Sequence, residues 1–169
     1  MPTDIHGKNC ILTADRAKRM IRRMALQIAE HNWDEKEIII AGITGNGSVV
    51  AEKIITELNE LSFISVKKNT ISLNKKEPLN AGLDSHQDFN NKIIVVVDDV
   101  SNTGKTLLYS LKPFLTFVPK KIQTLVLVER SHKLFAVQPD YVGLSVATTL
   151  QEHISVEVEG DEIAGAWLE

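Results

Sequence analysis

The chain carries a single cysteine, Cys10, so an intrachain disulfide framework is excluded. It has no apolar run long enough to span a bilayer and no signal-like apolar stretch near its start, which makes the cytoplasm the expected compartment and a membrane partner unexpected. It lacks a dominant charge: 19 basic residues face 22 acidic ones for a net charge of −3, a balance that advertises neither a polyanion nor a membrane surface. Internal repeats and low-complexity tracts are also missing. A length of 169 residues then suits one compact unit, and the expectation is a single domain over residues 1–169.

What the chain does have is concentrated in Ile93-Ile94-Val95-Val96-Val97-Asp98-Asp99-Val100-Ser101-Asn102-Thr103-Gly104-Lys105-Thr106. Five consecutive β-branched residues suit a strand buried on both faces of a parallel sheet, and ligands of such sheets bind outside the carboxyl ends of the strands. Asp98 and Asp99 therefore belong at the mouth. From Gly104 onward, Leu107, Leu108, Leu111 and Leu115 follow helical spacing, so the loop leads into a helix N-terminus whose free N–H groups suit a phosphate. Gly104-Lys105-Thr106 matches the end of a nucleotide-triphosphate P-loop, but the first glycine of that motif is missing and Asp99 stands in its place. Carboxylates fit better beside ribose hydroxyls, with a monophosphate held farther along by amides and hydroxyls.

Along the rest of the chain, Thr13 can cap a helix with Ala17, Met20, Ile21, Met24 and Ile28 on one face, ending near Asn32. Glu37 to Ala41 reads as a short buried strand, followed by the loop Gly42-Ile43-Thr44-Gly45-Asn46-Gly47 and a helix burying Ala51, Ile54, Ile55, Leu58 and Leu61. Phe63 to Val66 and Thr70 to Leu73 read as two strands. Residues 74–91 are polar, contain Pro78 and Gly82, and show no period. Lys121 to Val128, Ile154 to Val158 and Ile163 to Leu168 complete the strands, the last two flanking a Glu159-Gly160-Asp161 turn. Strand, crossover helix and strand in succession predict an α/β fold: a parallel sheet with helices on both faces. Residues 42–47 spell G-x-x-G-x-G, which argues against a Rossmann dinucleotide fingerprint but still lets backbone approach an anion.

The segment 93–106 resembles the PRPP-binding motif of the type I phosphoribosyltransferases. Leu127-Val128-Glu129-Arg130-Ser131-His132-Lys133, Pro139-Asp140-Tyr141-Val142-Gly143 and Thr148-Thr149-Leu150-Gln151-Glu152 make it most similar to the PyrR family of uracil phosphoribosyltransferases and pyrimidine-operon attenuation regulators. The resemblance implies a Mg²⁺-dependent transfer of phosphoribose from PRPP to a nucleobase, most simply uracil, with release of pyrophosphate. It assigns Asp98 and Asp99 to the ribose hydroxyls and, directly or through water, to the metal. Ser101, Asn102, Thr103, Gly104, Lys105 and Thr106 would wrap the 5′-phosphate, and Thr44, Gly45, Asn46 and Gly47 would hold the pyrophosphate. Residues 74–91 would form a closing lid that brings Lys75 to the leaving group. Residues 129–145, with the C-terminal strands, would make a hood in which Arg130, Tyr141 and Val142 meet the base. A homodimer or larger homo-oligomer is implied as well.

The chain departs from the PyrR pattern at three places: Thr44 and Asn46 stand where lysine and arginine are found, and Lys75 where an arginine is found. The Pro139-to-Gly143 run is also similar to hypoxanthine-guanine phosphoribosyltransferases, which keep an aspartate at the position of Asn102. Asn102 cannot act as a general acid or base, which favours a pyrimidine acceptor. Arg16, Arg19 and Arg23 share a face of the first helix, with Lys18 and Arg22 beside them, and RNA is the partner such a face would suit. On an acidic chain a solvated helix face is the preferred reading.

Overall fold

The computed structural model describes residues 8–149 and 151–169, so Leu150 of the Thr148-to-Glu152 run lies outside the described residues. Its centre is the β-branched run, which forms β5 (Ile93–Ser101) in the middle of a six-stranded sheet. β5 is flanked by β2 (Glu37–Ile43) and β6 (Lys121–Arg130), both parallel to it. β3 (Ser65–Ser72) extends the parallel sheet beyond β2 and β7 (Tyr141–Val146) extends it beyond β6. The two-residue β4 (Gly82–Leu83) adds an antiparallel edge to β3, so the expected parallel sheet is a mixed one.

Side-chain alternation along these strands decides what covers each face. Ile38, Ile40, Ile93, Val95, Val97, Leu125 and Leu127 point to the side of α1 (Ala14–His31) and α2 (Asn46–Leu61), joining Ile21, Met24, Ile28, Ile54 and Leu58 in one core. Ile39, Ala41, Ile94, Val96 and Val126 point the other way, onto Leu107 of α3 (Lys105–Ser110), Phe114 and Phe89. Helices on both faces are thus present. Thr13 caps α1 through a bond from the Arg16 N–H, and the helix stops at His31 before Asn32, as its stripe of apolar residues predicts.

A second sheet is built from β1 (Asn9–Thr13), β8 (Ile154–Glu159) and β9 (Glu162–Leu168) in the order β1-β9-β8, all antiparallel. Its Leu12, Ile154, Val156, Ile163 and Ala166 join the α1/α2 core, which seats it beside the mouth of the large sheet. Among the described residues no helix is long and apolar enough to cross a membrane.

Several local expectations change. Phe63 to Val66 and Thr70 to Leu73 are not two strands: Ser65 to Ser72 run as one, and Phe63 is fully exposed ahead of it. The stripe Leu107, Leu108, Leu111, Leu115 is not one helix either. α3 ends at Ser110 and a 3₁₀ turn over Lys112–Thr116 follows, with Pro113 unable to donate to a continuing α-ladder, so Leu108 and Leu115 face solvent. Of the expected hood, the C-terminal strands β8 and β9 form the small sheet together with β1, whereas Glu129 and Arg130 end β6 and Tyr141 begins β7 in the large sheet. Within 74–91, a 3₁₀ turn at Pro78–Asn80 and the buried ring of Phe89 give the segment structure its polarity hides.

Candidate active site

β5 carries Asp98 and Asp99 to the C-terminal edge of the sheet, and both carboxyls are almost fully buried, at 0% and 7% exposure. Asp98 Oδ1 accepts a hydrogen bond from the Asp99 N–H at 2.9 Å. Asp98 Oδ2 and Asp99 Oδ1 are buried without a hydrogen-bond partner. The Lys75 ammonium reaches in from the segment after β3 to 3.4 Å from Asp98 Oδ1 and 3.6 Å from Asp99 Oδ1. Burial, then the neighbouring Asp99 charge, pushes the Asp98 carboxyl up to about 8 in spite of Lys75. Burial pulls the Lys75 ammonium down, but the two carboxylates pull it up further, and it ends above the ordinary lysine range. Ionising both buried acids beside one cation would leave the centre short of positive charge.

Helix α2 abuts this centre because residue 47 is glycine: a Cβ there would lie 2.8 Å from Asp98 Oδ1 and 3.1 Å from the Val97 carbonyl. Its N-terminal amides therefore sit beside the acids, with Gly45 at φ +92° making the turn into the helix. The Thr44 N–H is already used, donating to Ile71 O at 2.9 Å. The Asn46 side chain turns away from the loop and donates to Val156 O of β8 at 2.8 Å.

Beyond the acids, Ser101 ends β5 and Gly104, at φ +86°, turns the chain into α3. Thr103 O accepts from the Leu134 and Phe135 N–H groups at 3.0 Å each, and Thr103 Oγ1 accepts from the Lys105 N–H at 3.2 Å. The loop is held from behind and its front is open. Ser101 Oγ is buried there with no partner. A cavity of about 430 Å³ follows, walled by Asn46, Lys75, Asp99 to Gly104, Thr106 and Leu107 on one side and by His153 to Val156 on the other; Lys105 does not line it. Paired acids, an open amide-and-hydroxyl loop and a second loop of free helix amides are what a phosphorylated sugar needs.

Comparison with known proteins agrees with this geometry. A family model described as "Phosphoribosyl transferase domain" matches residues 9–161. The chain belongs to the phosphoribosyltransferase family. It is 32% identical over 165 residues to the Bifunctional protein PyrR of Latilactobacillus sakei, covering 90% of this chain and 92% of the relative. It is 30% identical over 159 residues to that of Haemophilus ducreyi, covering 88% and 89%. Among solved structures, the hypoxanthine phosphoribosyltransferase of Trypanosoma cruzi superposes with a TM-score of 0.76 at 16% identity, covering 95% of this chain and 97% of that one. That last likeness is one of fold. As a phosphoribosyltransferase the protein is a PRPP-dependent pentosyltransferase.

Of the residues singled out in the sequence, Lys75, Asp98, Asp99, Ser101 to Thr106 and Thr44 to Gly47 converge at this end of the sheet. Tyr141 and Val142 lie on β7, two strands away from β5, and do not line the cavity. Parallel strands carry their ligands at their C-terminal ends, and Tyr141 is the first residue of β7, paired with Leu125 in the interior of β6. It is 1% exposed, its hydroxyl donates to Gln123 at 2.9 Å and lies 3.1 Å from His31 Nδ1, and burial pushes it up to about 12. Val142 O accepts from the Arg23 guanidinium at 2.9 Å. Arg130 stands at the correct end of β6, but its guanidinium donates to Thr149 O and Glu152 O and so shapes the turn leading into β8. The residues that sequence reasoning missed are His153 to Val156, which wall the cavity from the small sheet.

Proposed function

We propose that this phosphoribosyltransferase attaches phosphoribose from PRPP to uracil and releases pyrophosphate. The observation that carries the reading is the buried Asp98/Asp99 pair, with two partnerless carboxylate oxygens, next to a loop that is braced from behind and open in front. In this reading the acids accept hydrogen bonds from the ribose hydroxyls and steady positive charge developing on the sugar. The Ser101 to Thr106 loop takes the 5′-phosphate, and the amides of Gly45, Asn46 and Gly47 take the pyrophosphate. Lys75 shifts from the acids toward the leaving group as the 74–91 segment closes and excludes water.

Mg²⁺ fits the residues present. The two orphaned carboxylate oxygens offer hard, charged ligands, and no cluster of three or more metal-binding side chains exists among the described residues, so substrate oxygens and water would complete the shell. Bound there, the ion supplies charge neutralisation of the pyrophosphate. Asp98 and Asp99 would hold it.

The PyrR relatives support uracil as the acceptor, and so does Asn102, an amide in place of an acid. The base would lie between residues 99–102 and the β8 wall. A purine acceptor, hypoxanthine or guanine, is the nearest alternative enzyme. A second reading, a PRPP- or nucleotide-sensing regulator with little turnover, is favoured by one observation: Thr44 and Asn46 are uncharged and the Asn46 amide is spent on Val156, so this loop offers no side-chain cation to pyrophosphate. RNA binding by α1 is not favoured, since Arg22 pairs with Glu57 at 2.9 Å and Arg23 is occupied by Gln27 and the Val142 and Gly143 carbonyls. We place the chain in the cytoplasm as a homodimer or larger assembly, which light scattering checks. Pyrophosphate release from PRPP and Mg²⁺ with uracil, hypoxanthine, guanine and adenine offered separately tests the proposal. Release with uracil alone supports it, release with a purine replaces the acceptor, and release with none leaves the sensor.

A further inference from the structure

β8 is the edge strand of the small sheet, and its free edge faces the cavity. His153 and Glu169 exchange both backbone hydrogen bonds at 2.9 Å, so in an antiparallel ladder the next backbone groups, those of Ile154 and alternately Val156, point away from β9. Left bare, they would be an unpaired strand edge. Two asparagines from the other side of the cavity cover them. Asn46 Nδ2, at the start of α2, donates to Val156 O at 2.8 Å. Asn102, after β5, accepts from the Ile154 N–H and donates to the Ile154 carbonyl, both at 3.4 Å. A carboxamide can do both at one residue, whereas a carboxylate accepts without donating and a guanidinium donates without accepting.

We propose that Asn46 and Asn102 are positioning residues that latch the β8 edge across the mouth of the site and so set the width of the cavity that receives the acceptor base. Ile154 and Val156 anchor β8 in the core by their side chains, and the two amides fix where its backbone stands relative to Asp99 and the phosphate loop. Asn46 is thereby committed to the wall and contributes backbone, not side chain, to the pyrophosphate loop. The inference rests on the phosphoribosyltransferase reading for its kinetic consequence and on the structure alone for the latch.

The test uses the full chain with Asn46→Ala, Asn102→Ala and Asn102→Asp. Amide hydrogen exchange at Ile154 accelerates roughly tenfold in Asn102→Ala and stays protected in Asn102→Asp, which keeps the acceptor. In Asn46→Ala and Asn102→Ala the KM for the acceptor base rises about tenfold, by more than the calorimetric Kd for PRPP rises. Unchanged exchange across 153–158 in both alanine variants overturns the latch. So does a loss of PRPP affinity with exchange unaltered, which would make the asparagines substrate ligands. The exchange arm reads the free protein, so absence of transferase activity with every base would count against the assigned acceptor chemistry without deciding the latch.

Discussion

Gly47→Ala places one methyl group at the tightest point of the site. Its Cβ would stand 2.8 Å from Asp98 Oδ1, 3.1 Å from the Val97 carbonyl oxygen and 3.2 Å from Asp98 Cα. Two of these atoms are backbone of the central strand, and the third is held by the Asp99 N–H at 2.9 Å, so no flexible chain end can yield. Either α2 withdraws by a few tenths of an ångström or the Asp98 carboxyl turns. Overpacking of this kind costs about 1–3 kcal/mol, and alanine's better helix propensity returns at most ~1 kcal/mol. For a chain of this size each kcal/mol moves Tm by about 2–4 °C, so a net loss of up to about 2 kcal/mol lowers Tm by up to about 8 °C by circular dichroism. Because the shift lands on Asp98, PRPP affinity measured by calorimetry falls about tenfold or more. Gly82→Ala, where a Cβ would meet nothing within 4 Å, is the control and stays within about 0.5 kcal/mol of the parent. Parent-like melting and PRPP binding in Gly47→Ala would refute the close approach of α2 to the acid pair.

Four further outcomes are expected. Asp98 titrates near 3.8 when exposed and at about 8 when folded, so folding takes up a proton; its contribution makes the free protein less stable as pH rises from about 4 to about 8 and is flat above, which denaturant titrations at several pH values read. Binding of PRPP with Mg²⁺ draws Asp98 to its charged form, so calorimetry in buffers of different ionisation enthalpy shows proton release at pH 7 that vanishes well above pH 8; no release at pH 7 contradicts the assignment. Asp99→Asn lowers turnover by about a hundredfold or more with the melting curve little changed, and near-normal turnover removes that carboxylate from the mechanism. Phe89→Ala, which empties the edge-to-face cluster with Phe114 and Phe117 at 5.1 and 5.3 Å, costs about 3–5 kcal/mol by urea denaturation and loosens the base of the 74–91 segment.

The large sheet and the acid pair were legible in the sequence because their signals are local. A β-branched run ending in Asp98-Asp99 and opening into Thr-Gly-Lys-Thr carries its burial, its direction and its ligand chemistry within fourteen residues. Of the small sheet only the β8 and β9 strands around Glu159-Gly160-Asp161 were legible; β1 was not, since it pairs Asn9–Thr13 with Glu162–Leu168 across almost the whole chain and no local period announces such a pairing. The sheet's role at the site was hidden for a second reason: His153 to Val156 wall the cavity with edge backbone, and backbone has no residue signature. Tyr141 misled in the opposite way. The Pro139-to-Gly143 run resembles a segment that meets the base, yet the Tyr141 hydroxyl finds Gln123 and its ring lies against His31. Asn46, marked as a departure from a basic residue, gained a role only when β8 was seen opposite it.

The most direct test of the central claim is isothermal titration of the protein with PRPP and Mg²⁺, run in parallel on Asp98→Asn and Asp99→Asn. The account predicts stoichiometric binding to the parent chain that weakens when Mg²⁺ is omitted or either acid is neutralised. No binding to the parent, or binding indifferent to both carboxylates, would contradict the placement of PRPP at the end of β5.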